Sequence, residues 1–469
     1  MKVLLIANSS SRSSRETNIT GVYPPLGLAY IASVLRDAGQ QVIFLDNQIL
    51  NFCSNSLKNE IKKIAPDIVL LSAMTPLWPE LIILSKLIKD VSKQIIVGVG
   101  GPHLTAYPQE SLSNNNFDFG VFGEGEKTIL EIVNAIQEGR WLDGIKGCIF
   151  RKNGEIIINS PREEIDDLDS IPFPAIDLLP YKKYFAFSVK HPLATIVTSR
   201  GCPYSCKFCF QDYLGSYRAR SPENVIEEIE ILVNKYKIQE IIVFDETFAV
   251  EEERVLKICE LIHKKNIKFK WDIRTRVDLL KDEVLKSLKS AGCSRIHLGI
   301  ESGDQDILCQ MGKNISISEI VEKVNLAKKI GFELRGYFML AYPGEKYRTI
   351  CKTIEFAKSL PLDWASFTIT LGLPETDIYK QALKMKYFDS DYWREYTKGA
   401  ALGPKPFFIP LGLKNKDLYN LKKKAYLKFY FRPRIIWNIA KSLKSTVGIK
   451  NFYSYIKLIP SFYSSITKI

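Results

Sequence analysis

The sequence predicts an α/β protein: an N-terminal doubly wound, Rossmann-like domain, then a full or partial barrel of six βα-type units, then a small helical C-terminal segment. Three observations predict it. Short apolar strands alternate with helix-like stretches through two successive regions, the pattern of parallel sheets covered by helices. The first region, roughly residues 1–145, places a glycine cluster after its fourth strand; the second, roughly 191–400, places acids and arginines at its strand ends. A connector at 146–190 carries a hairpin signal and then an acidic, proline-containing run, and residues 401–469 turn basic and aromatic.

Composition bounds the function classes. The 469 residues suffice for two or three domains, and 46% hydrophobic with 25% charged residues is ordinary for a soluble globular protein. The apolar run Val3 to Ala7 is too short for a signal peptide, and no stretch has the length needed to span a bilayer, so a cytoplasmic location is expected. Nine cysteines, three of them clustered, suit a reducing compartment, with Cys259, Cys293 and Cys351 reading as buried small hydrophobes. The net charge of +13 belongs to the tail: from Leu411 to Ile469 there are 13 Lys or Arg against one acid, Asp417.

In the first domain, strand Lys2 to Asn8 opens into a polar loop, Ser9 to Thr20. Helix Ala29 to Ala38 stops at Gly39, and Val42 to Asp46 forms a second strand. Helix Leu57 to Ile64, strand Ile68 to Ser72, helix Pro79 to Val91, strand Ile95 to Gly98 and a helix from Lys127 to Glu138 follow. Such a sheet has its ligand crevice at the strand C-termini. Gly100 and Gly101 stand there and allow close backbone approach, and His103 follows them.

In the connector, Cys148 to Ile158 alternates around Asn153-Gly154, a hairpin signal. The run from Ile165 to Ala175 reads as an extended linker lying across the next domain. The barrel then takes strands Ala194 to Thr198, Glu240 to Phe244, Lys268 to Ile273, Arg295 to Ile300, Glu333 to Leu340 and Trp364 to Thr370. In such a fold the chemistry sits at the strand C-termini. Asp245 and Glu246 end the second strand, Arg274 and Arg276 follow the third, and Glu301 and Ser302 end the fourth.

The densest chemistry lies in residues 198–210, where Cys202, Cys206 and Cys209 form a C-x3-C-x2-C spacing on a loop after the first barrel strand. Three thiolates on one loop suit a soft metal centre. A [4Fe–4S] cluster held by three cysteines keeps one iron free of protein ligands, an open position of the kind that admits substrate at catalytic zinc. The loop, with Phe208 just before its last cysteine, resembles the cluster motif of the radical S-adenosylmethionine (radical SAM) enzymes. The stretches from Tyr23 to Ala32, Gly100-Gly-Pro-His and Gly123-Glu-Gly-Glu resemble the cobalamin-binding domain that precedes many of them.

The resemblance implies a six-unit partial barrel, a [4Fe–4S] cluster on Cys202, Cys206 and Cys209, and SAM on the open iron. It implies that Asp245 or Glu246 contacts the SAM amino group, that Arg274 or Arg276 holds its carboxylate, and that Glu301 and Ser302 reach its ribose or methionine part. Phe208 would pack near adenine. Gly100, Gly101 and His103 would contact cobalamin, His103 through a turn or a corrin amide rather than cobalt. The D-x-H-x-x-G signature of methionine-synthase-like proteins is absent, so the lower face of cobalt should lack the usual histidine, with Ser9 to Thr20 close by. The implied function is a cobalamin-dependent radical SAM methyltransferase acting on an unactivated carbon through a 5′-deoxyadenosyl radical and methylcobalamin. An oxidative cyclase or rearrangement enzyme with the same cofactors is the alternative, and a non-catalytic cobalamin or redox sensor the lesser one. The expected partners are a small-molecule or lipid-like substrate and an electron donor such as flavodoxin or ferredoxin.

In the tail, Leu418 to Phe431 interleaves lysines with tyrosines and phenylalanines, and Ile435 to Leu443 with Trp437 forms a second amphipathic stretch. Packing on the barrel is the leading expectation, peripheral membrane contact the next; no nucleic acid is expected, since no RNA-binding module is present.

Overall fold

The structure is a computed structural model that describes residues 1–8, 21–186, 188–210, 213, 215–388, 390–399 and 406–436. The polar loop Ser9 to Thr20 and the stretch from Trp437 onward therefore lie outside the described residues. The chain forms two compact units.

The first unit is built on strands β1 (Lys2–Ala7), β2 (Gln41–Asp46), β3 (Ile68–Ser72), β4 (Ile96–Gly100), β5 (Phe119–Val121), β6 (Cys148–Lys152) and β7 (Glu155–Ile158), in the order β2-β1-β3-β4-β5-β6-β7. The first five pair in parallel, and β6 and β7 add antiparallel. Val3, Leu4, Leu5 and Ile6 are buried, as a strand covered on both faces requires. Helices α1 (Leu26–Asp37), α2 (Ser54–Ile64), α3 (Trp78–Val91) and α4 (Glu126–Gln137) supply the cover. A methyl group at Gly98 would meet the Phe119 ring at 2.3 Å, so β5 can approach β4 only over glycine.

This unit departs from the sequence reading in four places. Strand β5 was not foreseen, because three residues between Asp118 and Phe122 give no periodicity to read. The hairpin is no separate connector: it extends the first sheet as β6 and β7. The run after it packs on the same unit, with Ala175 N–H donating to Ala29 O at 3.1 Å, Ser33 Oγ to Phe173 O at 2.6 Å, and Arg36 paired with Asp177 at 2.7 Å. Helix Tyr392–Thr397, which falls inside the 191–400 span assigned to the barrel, also belongs to the first unit.

The second unit is a parallel six-stranded sheet of β8 (Leu193–Ile196), β9 (Glu240–Val243), β10 (Lys270–Arg276), β11 (Cys293–Glu301), β12 (Glu333–Leu340) and β13 (Trp364–Ile369), in sequential order. Helices Pro222–Glu230, Glu252–Lys264, Asp282–Ser290, Ile317–Ile330 and Tyr347–Ser359 connect the strands. Their starts are written in the sequence: Ser221 accepts from Asn224 N–H beside Pro222, and Ser316 accepts from Glu319 N–H. Strands β10 and β11 run further than expected, so Arg274, Arg276 and Glu301 are strand residues rather than loop residues. The N-terminal end of the sheet is closed by Arg295, which pairs with Asp272 at 2.9 Å, Glu333 at 2.9 Å and Glu240 at 3.2 Å. Charges this buried persist only when paired.

An open barrel leaves edge strands. On β13, Ala365 and Phe367 turn their backbone groups away from β12, because alternate residues of a parallel strand bond to opposite sides. Helix Asn415–Tyr430 meets them: Tyr430 Oη lies 2.9 Å from Ala365 O and 3.3 Å from Ala365 N, and Tyr426 Oη 3.2 Å from Phe367 N and 3.4 Å from Phe367 O. Leu418, Leu421, Ala425 and Phe429 of the helix are buried. The aromatic face of the basic tail thus packs on the barrel. Among the described residues no helix is long and apolar enough to cross a membrane. Tyr426→Phe combined with Tyr430→Phe should lower stability by about 2 kcal/mol, read as a lower urea midpoint at unchanged m-value. An unchanged midpoint would show that the edge needs no cap.

Candidate active site

The cysteine loop leaves β8 through Gly201, whose φ is 79° and where a methyl group would fall 1.9 Å from Ser216 O. Only glycine fits there. The loop is then pinned by backbone: Lys207 N–H donates to Met311 O at 3.1 Å, Ile378 N–H to Lys207 O at 3.2 Å, and Cys209 N–H to Cys206 O at 2.9 Å. Cys202, Cys206 and Cys209 are free thiols, Cys206 buried and the other two partly exposed. Among the described residues no three Cys, His, Asp or Glu close around one point as a single-ion site would. A polynuclear cluster binds each thiolate at a different iron, and three cysteines on one loop supply three such ligands.

Two cations serve this loop. Arg276 lies with one guanidinium nitrogen 3.7 Å from Cys206 Sγ and its plane 4.0 Å over the Tyr204 ring. It is held by Asp278 through two nitrogens at 3.0 Å and donates to Lys313 O at 2.9 Å. Burial pushes the Cys206 thiol up, and Lys313 and Arg276 pull it back. Burial, with Cys206 and Glu301 nearby, pushes Cys209 further up. Bare thiolates are costly here, and a cationic metal centre would supply the missing positive charge.

The remaining predicted residues separate into two kinds. Asp245 is buried and fully used: Thr198 N–H, Thr198 Oγ1 and Ser199 Oγ donate to it at 2.6, 2.5 and 2.7 Å. It fixes the start of the cysteine loop. Glu246 keeps an accessible carboxylate, although the surrounding walls push its pKa up and Arg274 draws it back. Arg276 is locked as described and is a loop cation, which corrects its assignment to a SAM carboxylate. Arg274 donates to Val243 O at 2.6 Å, stacks 4.1 Å over Phe244 and stays partly exposed. Glu301 has a left-handed φ of 68° at a register shift between β11 and β12, and pairs with Lys313 at 3.2 Å. A methyl group at Gly299 would sit 2.5 Å from Glu301 Oε1, so this pair requires the glycine. Ser302 does not face the site: it is fully buried against Thr353 Oγ1 at 3.2 Å and accepts from Asp304 N–H. Phe208 is partly buried against the cluster of Ile307, Met311, Tyr342 and Ile378. Glu345 accepts from Tyr342 N–H at 3.0 Å.

Sequence reasoning missed Lys313, Tyr204 and Thr247, whose hydroxyl lies 3.7 Å from Cys202 Sγ. Tyr204 sits inside the motif; Lys313 could be found only through the fold, since it reaches Glu301 from beyond an intervening helix.

In the first unit, Gly101 has φ 99° and its missing side chain makes room for Ser72 Oγ and Ala73 O. Gly100 ends β4 beside β3, after which Met74 stands 63% exposed. The exposed Met74 makes this carboxyl edge partly apolar. His103 is corrected. It is fully buried, with Nδ1 3.2 Å from Thr75 Oγ1, Nε2 3.1 Å from Thr397 Oγ1 and Trp78 against its ring at 4.5 Å. Burial holds its pKa down at about 3. It is a neutral residue whose two ring nitrogens are both engaged within the first unit, which fits the turn-packing role.

A parallel six-stranded open barrel with a three-cysteine loop after its first strand, preceded by a doubly wound unit, defines the class of fold. The radical SAM superfamily description matches residues 196–357, and the B12 binding domain description matches residues 16–133. An uncharacterized methyltransferase of Pyrococcus horikoshii is 35% identical over 440 residues, covering 93% of this chain and 94% of that one. An anaerobic magnesium-protoporphyrin IX monomethyl ester cyclase of Rubrivivax gelatinosus is 28% identical over 446 residues, covering 93% and 78%. The solved radical S-adenosylmethionine methyltransferase TsrM from Kitasatospora setae, with cobalamin and a [4Fe–4S] cluster bound, superposes with a TM-score of 0.69 at 18% identity, covering 88% of this chain and 79% of that one. The chain belongs to the radical SAM superfamily, in the group that carries a B12 binding domain ahead of the barrel.

Alanine at Cys202, Cys206 or Cys209 should each abolish the iron and the visible absorbance of anaerobically reconstituted protein, while Cys259→Ala leaves both unchanged. Retention of full iron by any of the first three would contradict the ligand set.

Proposed function

We propose that the chain is a cobalamin-dependent radical SAM methyltransferase that methylates an unactivated carbon of a small molecule, drawing electrons from a carrier such as flavodoxin or ferredoxin. The carrying observation is the trio Cys202, Cys206 and Cys209 on the loop after the first barrel strand, with Arg276 and Lys313 acting on Cys206 and with Glu301 and the exposed Glu246 near Cys209. When bound, the cluster and cobalamin supply the reductive cleavage of SAM and the methyl group. The chain's residues supply position and charge. Glu246 is the acid left to meet an ammonium, since Asp245 is spent on the loop. Arg274 is the arginine left to hold a carboxylate, since Arg276 is spent on Asp278 and Tyr204. Glu301, on its strained backbone, faces the ribose or methionine part. Gly100 and Met74 at the strand ends of the first unit would hold cobalamin, and His103, with both ring nitrogens engaged, would take no part.

Similarity to the uncharacterized methyltransferase over nearly the full length of both chains supports methyl transfer. Similarity to the cyclase favours oxidative cyclisation as the second reading. The described part of the basic tail spends its aromatic face on β13, so a membrane role for that helix is not part of the proposal.

Anaerobic incubation of reconstituted protein with cobalamin, SAM and reductant should release 5′-deoxyadenosine. The product should be heavier than its precursor by one CH2. A product lighter by hydrogen would favour cyclisation, and undiminished turnover without cobalamin would overturn the proposal.

A further inference from the structure

Inside the barrel, one residue step below Glu301, stands a set of polar groups that the reading above does not use. Tyr337 pairs in register with Gly299, and its neighbour Phe338 with Glu301. Phe338 is buried, whereas Tyr337 lies on the opposite face of β12 and is 39% exposed. The Tyr337 hydroxyl is 2.8 Å from His297 Nδ1, with the two rings stacked at 5.9 Å and 17°. His297 Nε2 lies 3.6 Å from Asp272 Oδ2, the oxygen that also accepts from Arg295. His297 and Asp272 are more than nine-tenths buried, yet His297 Nε2 and Asp272 Oδ1 have no hydrogen-bond partner. Buried polar atoms left in this state call for an explanation.

The arrangement has a direction. A carboxylate facing Nε2 favours the proton on that nitrogen, which makes Nδ1 an acceptor. Tyr337 must then donate its only proton to His297, and its oxygen presents lone pairs to the lumen. Burial pulls His297 down to about 4 and pushes Tyr337 up, so both stay neutral near pH 7. The charged groups acting on the pair are Arg274, Arg335 and Arg295 from the flanking strands, with Asp272 beneath.

We propose that Tyr337 binds the substrate by accepting a hydrogen bond from its hydroxyl or amine, with His297 and Asp272 as positioning residues that hold the phenol in its accepting orientation. The substrate is therefore a polar small molecule, not a lipid. The inference rests on the reading that the barrel lumen faces the substrate of a methyl transfer. A hydrocarbon chain beside Tyr337 would leave the phenol oxygen desolvated with no donor to meet it.

The test uses full-length reconstituted protein with [methyl-14C]SAM, reductant and a metabolite extract of the cells that make it, partitioned between water and chloroform. Counting only label in products after chromatographic removal of SAM and its breakdown products, label should appear in the aqueous phase with wild type and fall at least tenfold with Tyr337→Phe, while the variant keeps the cluster absorbance. Label in chloroform, or undiminished label with Tyr337→Phe, would overturn the proposal. Nitrogen-15 spectra of labelled histidine decide the orientation separately: His297 should carry its proton on Nε2, and Tyr337→Phe should shift only its Nδ1 resonance. A proton on Nδ1 would overturn it. Absence of label from both phases would refute the methyl-transfer reading, and the histidine spectrum would still decide the arrangement of Tyr337.

Discussion

Arg276 joins the cysteine loop to the barrel. It stands at the end of β10, where the sheet is rigid, and its guanidinium faces four partners at once: Asp278, Lys313 O, the Tyr204 ring and Cys206 Sγ. A lysine could not make these contacts, because a point ammonium has neither the fork nor the stacking plane. The same cation that fixes the loop also eases ionisation of the thiol beside it. With Asp245 holding Thr198 and Ser199 at the loop's start, and Met311 and Ile378 its middle, the three sulfurs are set before any metal arrives. Such preorganisation is what a site with one open coordination position needs, since no fourth protein ligand can correct a misplaced one.

Much of this was legible in the sequence. The strands of both units are apolar runs between helix signals, and the cysteine spacing names its own chemistry. What the sequence could not separate were residues of one type standing two apart on a strand. Arg274 and Arg276 look equivalent, as do the adjacent Asp245 and Glu246; the fold spends one of each pair on structure and leaves the other accessible. Ser302 and His103 were misread for a related reason. A polar residue after a glycine turn looks available until tertiary packing finds it a partner, here Thr353 for one and Thr75 with Thr397 for the other. Thr397 lies 294 residues from His103, beyond any local pattern.

The aromatic tail carries a comparable lesson. Tyrosines spaced four apart among lysines read first as a face packed on the barrel and second as a membrane-facing stripe. Their hydroxyls instead complete the outward backbone groups of β13, which an open barrel would otherwise leave exposed as an edge. At the opposite pole the Arg295 network gathers the acids of the strand N-termini. The fold thereby sets a direction, with a closed ionic base, a polar middle around His297 and Tyr337, and a mouth ringed by thiols and carboxylates.

The open iron position is tested most directly by electron paramagnetic resonance of the reduced, reconstituted protein, recorded before and after SAM is added. The reduced cluster should give a signal whose g values shift when SAM binds, because a new ligand reaches one iron. A signal that SAM leaves unchanged, in protein shown by calorimetry to have bound it, would contradict the account.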